Sequence, residues 1–172
     1  MSSPSPSHTG TPADRPADQP AAGSTPSRGS VEPAGLPDSG YRQIDHTADL
    51  ALELWAPDQA ELLRVGARAI VDVLTGSTRI LADSTRSIAL DAVDGEDRLV
   101  QWLNEIIVAA LVDGFLTSDA DIELGETSLR ATLHGQASAA DFVVTELKSA
   151  TYHDLVLEEG ENGCRARVVI DV

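Results

Sequence analysis

The densest grouping of potentially reactive side chains is Asp45-His46-Thr47-Ala48-Asp49, set just ahead of an alternating apolar run. A second acid, Asp171, stands near the other end of the chain in Arg167-Val168-Val169-Ile170-Asp171-Val172. Strand side chains alternate between faces. If Cys164, Ala166, Val168, Ile170 and Val172 share one face, Asp171 lies on the other, and Asp49 likewise lies opposite Leu50, Leu52 and Leu54. Were the two strands neighbours, Asp49 and Asp171 would converge, and two adjacent carboxylates require a cation, a base or a shared proton. An all-oxygen donor set favours calcium or magnesium. The same spacing also describes a solvated sheet edge on an acid-rich chain, and His46 reads equally as a turn histidine bonded to local backbone. The residues alone leave these alternatives open.

Other reactive side chains are more isolated. Lys148 is the only lysine in the sequence, and Glu146-Leu147-Lys148 would set a carboxylate and an amine on one strand face, the usual form of a surface pair. His134 and His153 have no partner that the sequence identifies, so structural roles are expected for them. Cys164 sits within an apolar alternation and reads as a buried, inert thiol. There is no GxSxG elbow, Walker loop, GxGxxG turn or HExxH helix.

The elements that must position these groups follow from periodicity. Leu50, Leu52 and Leu54 alternate with Ala51, Glu53 and Trp55 as in a half-buried strand, which Pro57 ends. Asp58 and Glu61 have capping-box spacing, and Leu62, Val65, Ala69, Ile70, Val73 and Leu74 recur at helical intervals up to Gly76. Residues 78–92 read as one or two strands with Ile88 and Leu90 inward. Gly95-Glu96-Asp97 places negative charge at a helix start, and Leu99, Trp102, Leu103, Ile106, Ile107, Ala110 and Leu111 form an apolar stripe behind it. Strand-like segments then follow at 115–124, 127–134, 142–150, 153–158 and 164–172. Runs of strands broken by two helices predict a single α+β domain, a mainly antiparallel or mixed sheet with both helices on one face.

Composition bounds the activity. The 172 residues carry 12 Lys and Arg against 28 Asp and Glu, a formal net charge of −16. Coating nucleic acid needs the opposite balance, so no direct stable nucleic-acid binding is expected. A single cysteine argues against a disulfide scaffold or zinc module and suits a reducing, cytoplasmic setting. No apolar run approaches a membrane span, and the N-terminus lacks the order of a signal peptide. Residues 1–40 hold eight of the nine prolines and no aromatic residue, so they are expected to form a disordered tail ahead of a domain at 41–172.

Four ordered segments then carry a resemblance: Tyr41-Arg42-Gln43-Ile44-Asp45-His46-Thr47-Ala48-Asp49, Leu99-Val100-Gln101-Trp102-Leu103-Asn104-Glu105, Thr145 through His153, and Val168-Val169-Ile170-Asp171-Val172. With them, residues 41–172 resemble the archease family, whose compact pattern has no counterpart of the tail. The resemblance implies a non-catalytic partner of an RtcB-type RNA ligase, promoting guanylylation of a ligase histidine and multiple turnover in tRNA splicing or RNA repair. GTP would belong to the ligase. It also implies a divalent-cation site, calcium first with magnesium or manganese as alternatives, on Asp49, Asp171 and Val172, with Asp45 a lesser candidate because related sequences tolerate Glu there. His46 and Lys148 stand beside these as further functional candidates. The second role implied is chaperone-like modulation of tRNA-modifying enzymes such as methyltransferases. The RNA substrate and oligomeric state are left open.

Overall fold

Leu50, Leu52 and Leu54 do alternate inward, and their strand is the spine of the domain. The computed structural model describes residues 38–45 and 49–172. The expected disordered tail lies outside the described residues except for Asp38, Ser39 and Gly40. Gly40 already belongs to β1 (Gly40–Asp45), paired with Trp55 of β2 (Leu50–Ala56). Helix α1 (Gln59–Thr75) follows, with Asp58 as its N-cap accepting from the Glu61 amide at 2.8 Å and Gly76 closing it at positive φ. After β3 (Ser84–Asp91) comes α2 (Gly95–Leu111), capped by Asp94 rather than by the charges inside it. Strands β4 (Leu116–Leu124), β5 (Ser128–Gln136), β6 (Ser149–Gly160) and β7 (Gly163–Asp171) complete the order, with one 3-10 turn at Ala140–Phe142.

The fold is α+β as expected, with the described strands divided between two antiparallel sheets. One has the order β1-β2-β7-β6 and the other β3-β5-β4. Both helices pack on the apolar face of both sheets and on each other. The buried stripe of α2, with Leu99, Trp102, Leu103 and Ile106 fully enclosed, lies in this core with Leu52, Leu54, Leu62 and Ile70. Trp102 satisfies its indole N–H on the Leu63 carbonyl at 2.8 Å, so burial of the ring leaves no polar atom unpaired.

Two strand expectations are corrected. Residues 142–148 are not a strand, so Glu146 and Lys148 do not share a strand face. The apolar run there serves another purpose: the amides of Val144 and Thr145 donate to the Leu74 carbonyl at 2.7 and 3.2 Å, satisfying the end of α1, while Leu147 plugs the core. Residues 149–160 form one long strand instead of two pieces. A bulge between Thr151 and Val156, with Asp154 at φ 50°, breaks its pairing to β7.

Candidate functional site

The proposed acid pair sits where β2 begins and β7 ends. These strands are antiparallel neighbours, with Leu50 opposite Ile170 and Leu52 opposite Val168 on the core side. Extended by one residue, that register sets Asp49 opposite Asp171, on the face turned away from the helices, and both residues are half-buried. Next to Asp171 on its other side is Ser149, the first residue of β6. The neighbour relation the sequence could only pose as a condition is therefore met. No group of three or more His, Cys, Asp or Glu side chains is placed to hold a metal ion among the described residues. His46 lies outside the described residues, and so does the side chain of Asp45, whose backbone pairs with Leu50 at the end of β1.

Lys148 enters this strand end from the connection before β6. Its amide donates to the Asp171 carbonyl at 2.8 Å, and its ammonium donates to the backbone oxygen of Val172 at 2.6 Å. The oxygen expected to serve as a third cation ligand thus already accepts a hydrogen bond from a positively charged group. The two carboxylates and the backbone oxygen are all-oxygen ligands of the kind a hard divalent cation takes, whereas the ammonium beside them is not a ligand. Asp49, Asp171 and Val172 are the residues that would hold one.

Beyond the acid pair, several polar side chains make long-range bonds that the sequence did not announce. Asn104, a polar residue on α2, makes a two-way bond with Ala150. Its amide nitrogen donates to the Ala150 carbonyl at 3.1 Å and its oxygen accepts the Ala150 amide at 2.8 Å. Because β6 is the edge of its sheet, Asn104 stands in for a missing strand. Asp97 accepts from the Tyr152 hydroxyl at 2.5 Å, the Val93 amide at 3.0 Å and Gln101 at 2.8 Å. These donors, Tyr152 foremost, hold its carboxyl below the usual range, and the same bond raises Tyr152. Arg98, a buried residue in the first turn of α2, donates to Gln59 at 2.7 Å and to the Glu126 carbonyl at 2.6 Å, tying both helix starts to the β4–β5 turn. Of the isolated candidates, His134 finds Asp121 at 2.8 Å on the outer face of the smaller sheet, and His153 lies 3.4 Å from Asp154. Cys164 is buried, and that burial pushes its thiol pKa up, away from the thiolate that a nucleophile needs.

Taken together, the features define a small α+β domain of two antiparallel sheets and two helices, with an acid pair at one strand end. Comparison with known proteins places that class. The sequence profile of the Archease protein family (MTH1598/TM1083) matches residues 41–172. Protein archease of Archaeoglobus fulgidus is 30% identical over 135 residues, covering 77% of this chain and 98% of the relative. That of Methanosarcina barkeri is 30% identical over 139 residues, covering 77% and 95%. In solved structures, protein 1598 of Methanobacterium thermoautotrophicum superposes with a TM-score of 0.64 at 22% identity, over 77% of this chain and 99% of that one. An archease, described as a possible chaperone, from Thermotoga maritima gives 0.52 at 26% identity, over 76% and 96%. The chain belongs to the archease family.

Proposed function

We propose that this chain is a non-catalytic accessory protein of an RtcB-type RNA ligase, promoting guanylylation of the ligase and its multiple turnover, in the cytoplasm. One observation supports this reading most: the β2–β7 register sets Asp49 of the first family motif opposite Asp171 of the last. A divalent cation held there, calcium first and magnesium or manganese next, would supply positive charge near phosphate groups during nucleotidyl transfer. The residues themselves do the rest. Asp49 and Asp171 supply carboxylate ligands and Val172 a backbone oxygen, while the formal net charge of −16 steers the protein toward a basic ligase channel without retaining RNA. GTP stays with the ligase. The deciding experiment is a ligase guanylylation and multiple-turnover assay with the organism's own ligase, with and without this protein, repeated for Asp49→Asn and Asp171→Asn. Stimulation by the wild type and its loss in both folded variants is expected. Undiminished stimulation and calcium binding in both would remove the site.

A second reading, chaperone-like modulation of tRNA-modifying enzymes, draws on a different surface. Leu81, Val112, Phe142 and Val144 are exposed on the connections around the C-terminal ends of both helices. Changed site choice by a tRNA methyltransferase in the presence of this protein, without ligase stimulation, would favour it.

A further inference from the structure

Lys148 is anchored twice at the same strand end. Its amide is fixed on the Asp171 carbonyl at 2.8 Å, so the base of the side chain cannot drift. The ammonium, at the tip of a flexible and exposed stem, closes on the backbone oxygen of Val172 at 2.6 Å. It is the only ammonium side chain in a chain of net charge −16. Two half-buried carboxylates on neighbouring strands, Asp49 and Asp171, gain from any positive charge placed beside them. A divalent ion bound by these carboxylates and the Val172 oxygen would share that oxygen with Lys148 and repel its ammonium at close range.

We infer that Lys148 is a built-in competitor for the cation: it neutralises the empty site and is expelled from Val172 when a divalent ion binds. This rests on the reading of Asp49, Asp171 and Val172 as cation ligands. Competition of this kind lowers cation affinity, and it makes the freed Lys148 amine a feature of the loaded surface alone. A partner therefore meets a different arrangement of charge on the loaded and empty forms.

The chain's single lysine makes the idea directly readable. Calcium chloride would be titrated calorimetrically into the full-length wild type, Lys148→Met, Lys148→Arg and Asp49→Asn. In parallel, acylation of Lys148 by an amine-selective reagent would be followed by mass spectrometry with and without calcium. Met keeps the aliphatic stem and removes the charge, so calcium affinity should rise about five- to tenfold, the scale of one unit charge in a partly solvated setting. Arg keeps the charge and should stay near the wild type. Calcium should speed Lys148 acylation several-fold in the wild type and leave its rate unchanged in Asp49→Asn. Equal or weaker calcium binding by Lys148→Met, or acylation indifferent to calcium, would overturn the competition while sparing the cation site. Absence of calcium binding in every protein, or binding that ignores Asp49→Asn, would overturn the cation site and the competition with it.

Discussion

Asn104 offers the sharpest quantitative test of how this domain holds its site. Its carboxamide satisfies both outward-facing backbone groups of Ala150 at the edge of the larger sheet, and Ala150 itself is only 4% exposed. Asn104→Ala therefore strands one N–H and one C=O together. A buried unsatisfied group costs about 1–3 kcal/mol. Asn104 is only partly buried, so water can recover part of this, and we expect a loss of about 2–4 kcal/mol in all. With a urea m-value of about 2 kcal/mol/M, the midpoint should fall by roughly 1–2 M at unchanged m. Asn104→Asp separates the two bonds. The carboxylate still accepts the Ala150 amide but turns an oxygen toward the Ala150 carbonyl, where the wild type has a donor at 3.1 Å. Protonation restores that donor, so this aspartate is easier to protonate in the folded state than in the unfolded one. Its relative stability is highest in acid and is lost as pH rises through the carboxylate range. The measurement is urea unfolding of wild type and both variants at neutral and mildly acidic pH. A loss below about 0.5 kcal/mol for Asn104→Ala, or an Asp variant with no pH signature, would refute the strand-surrogate role.

Two further expectations follow from burial. Leu103→Ala, at a fully enclosed position, should lose about 2–5 kcal/mol in the same unfolding assay. Adding Gly66→Ala should recover part of that loss, because a Cβ at Gly66 meets Leu103 Cδ2 at 2.9 Å in the wild type. Burial and the bond to Asp72 push the Tyr41 phenol up to about 12, so folding favours the protonated form. Stability from this group is present below pH 10 and declines as pH climbs toward 12. Tyr41→Phe should remove that decline, and phenolate absorbance should then report Tyr152 alone.

What the sequence disclosed was local. The alternation of Leu50, Leu52 and Leu54 and the stripe from Leu99 to Leu111 are periodic signals, and both elements formed with those faces buried. Asp58 announced its cap by spacing. The run at 142–148 misled because an apolar, β-branched segment can also plug a core and satisfy a helix end, as Val144 and Leu147 do. Alternation assigned Asp49 and Asp171 to one face, but it could not say that β2 and β7 are neighbours. That depends on pairing across more than a hundred residues. The bonds of Asn104, Arg98 and Tyr152 were illegible for the same reason: each joins a helix to a distant segment whose position only the finished topology defines.

That topology gives the four family segments a common physical meaning. The first supplies β1 and reaches Asp49 at the mouth of β2, and the last supplies the end of β7. Ile170 of the last segment faces Leu50 on one side and Ala150 of the third segment on the other. Ala150 is held from outside by Asn104 of the second, while Lys148 of the third binds Asp171 and Val172 of the last. The four segments therefore meet at one end of the larger sheet. Leu50, Ile170, Ala150 and Asn104 form a continuous chain of cross-strand and side-chain bonds; Asp49 and Asp171 adjoin Leu50 and Ile170 in sequence, and Lys148 stands two residues before Ala150. Asp171 is held within β7, Asp49 adjoins the first residue of β2, and Lys148 is tied to the end of β7 by its amide and ammonium bonds, anchoring of the kind that fixes ligand positions. Variants that loosen this frame, such as Asn104→Ala, should weaken calcium binding even though Asn104 touches none of the proposed ligands.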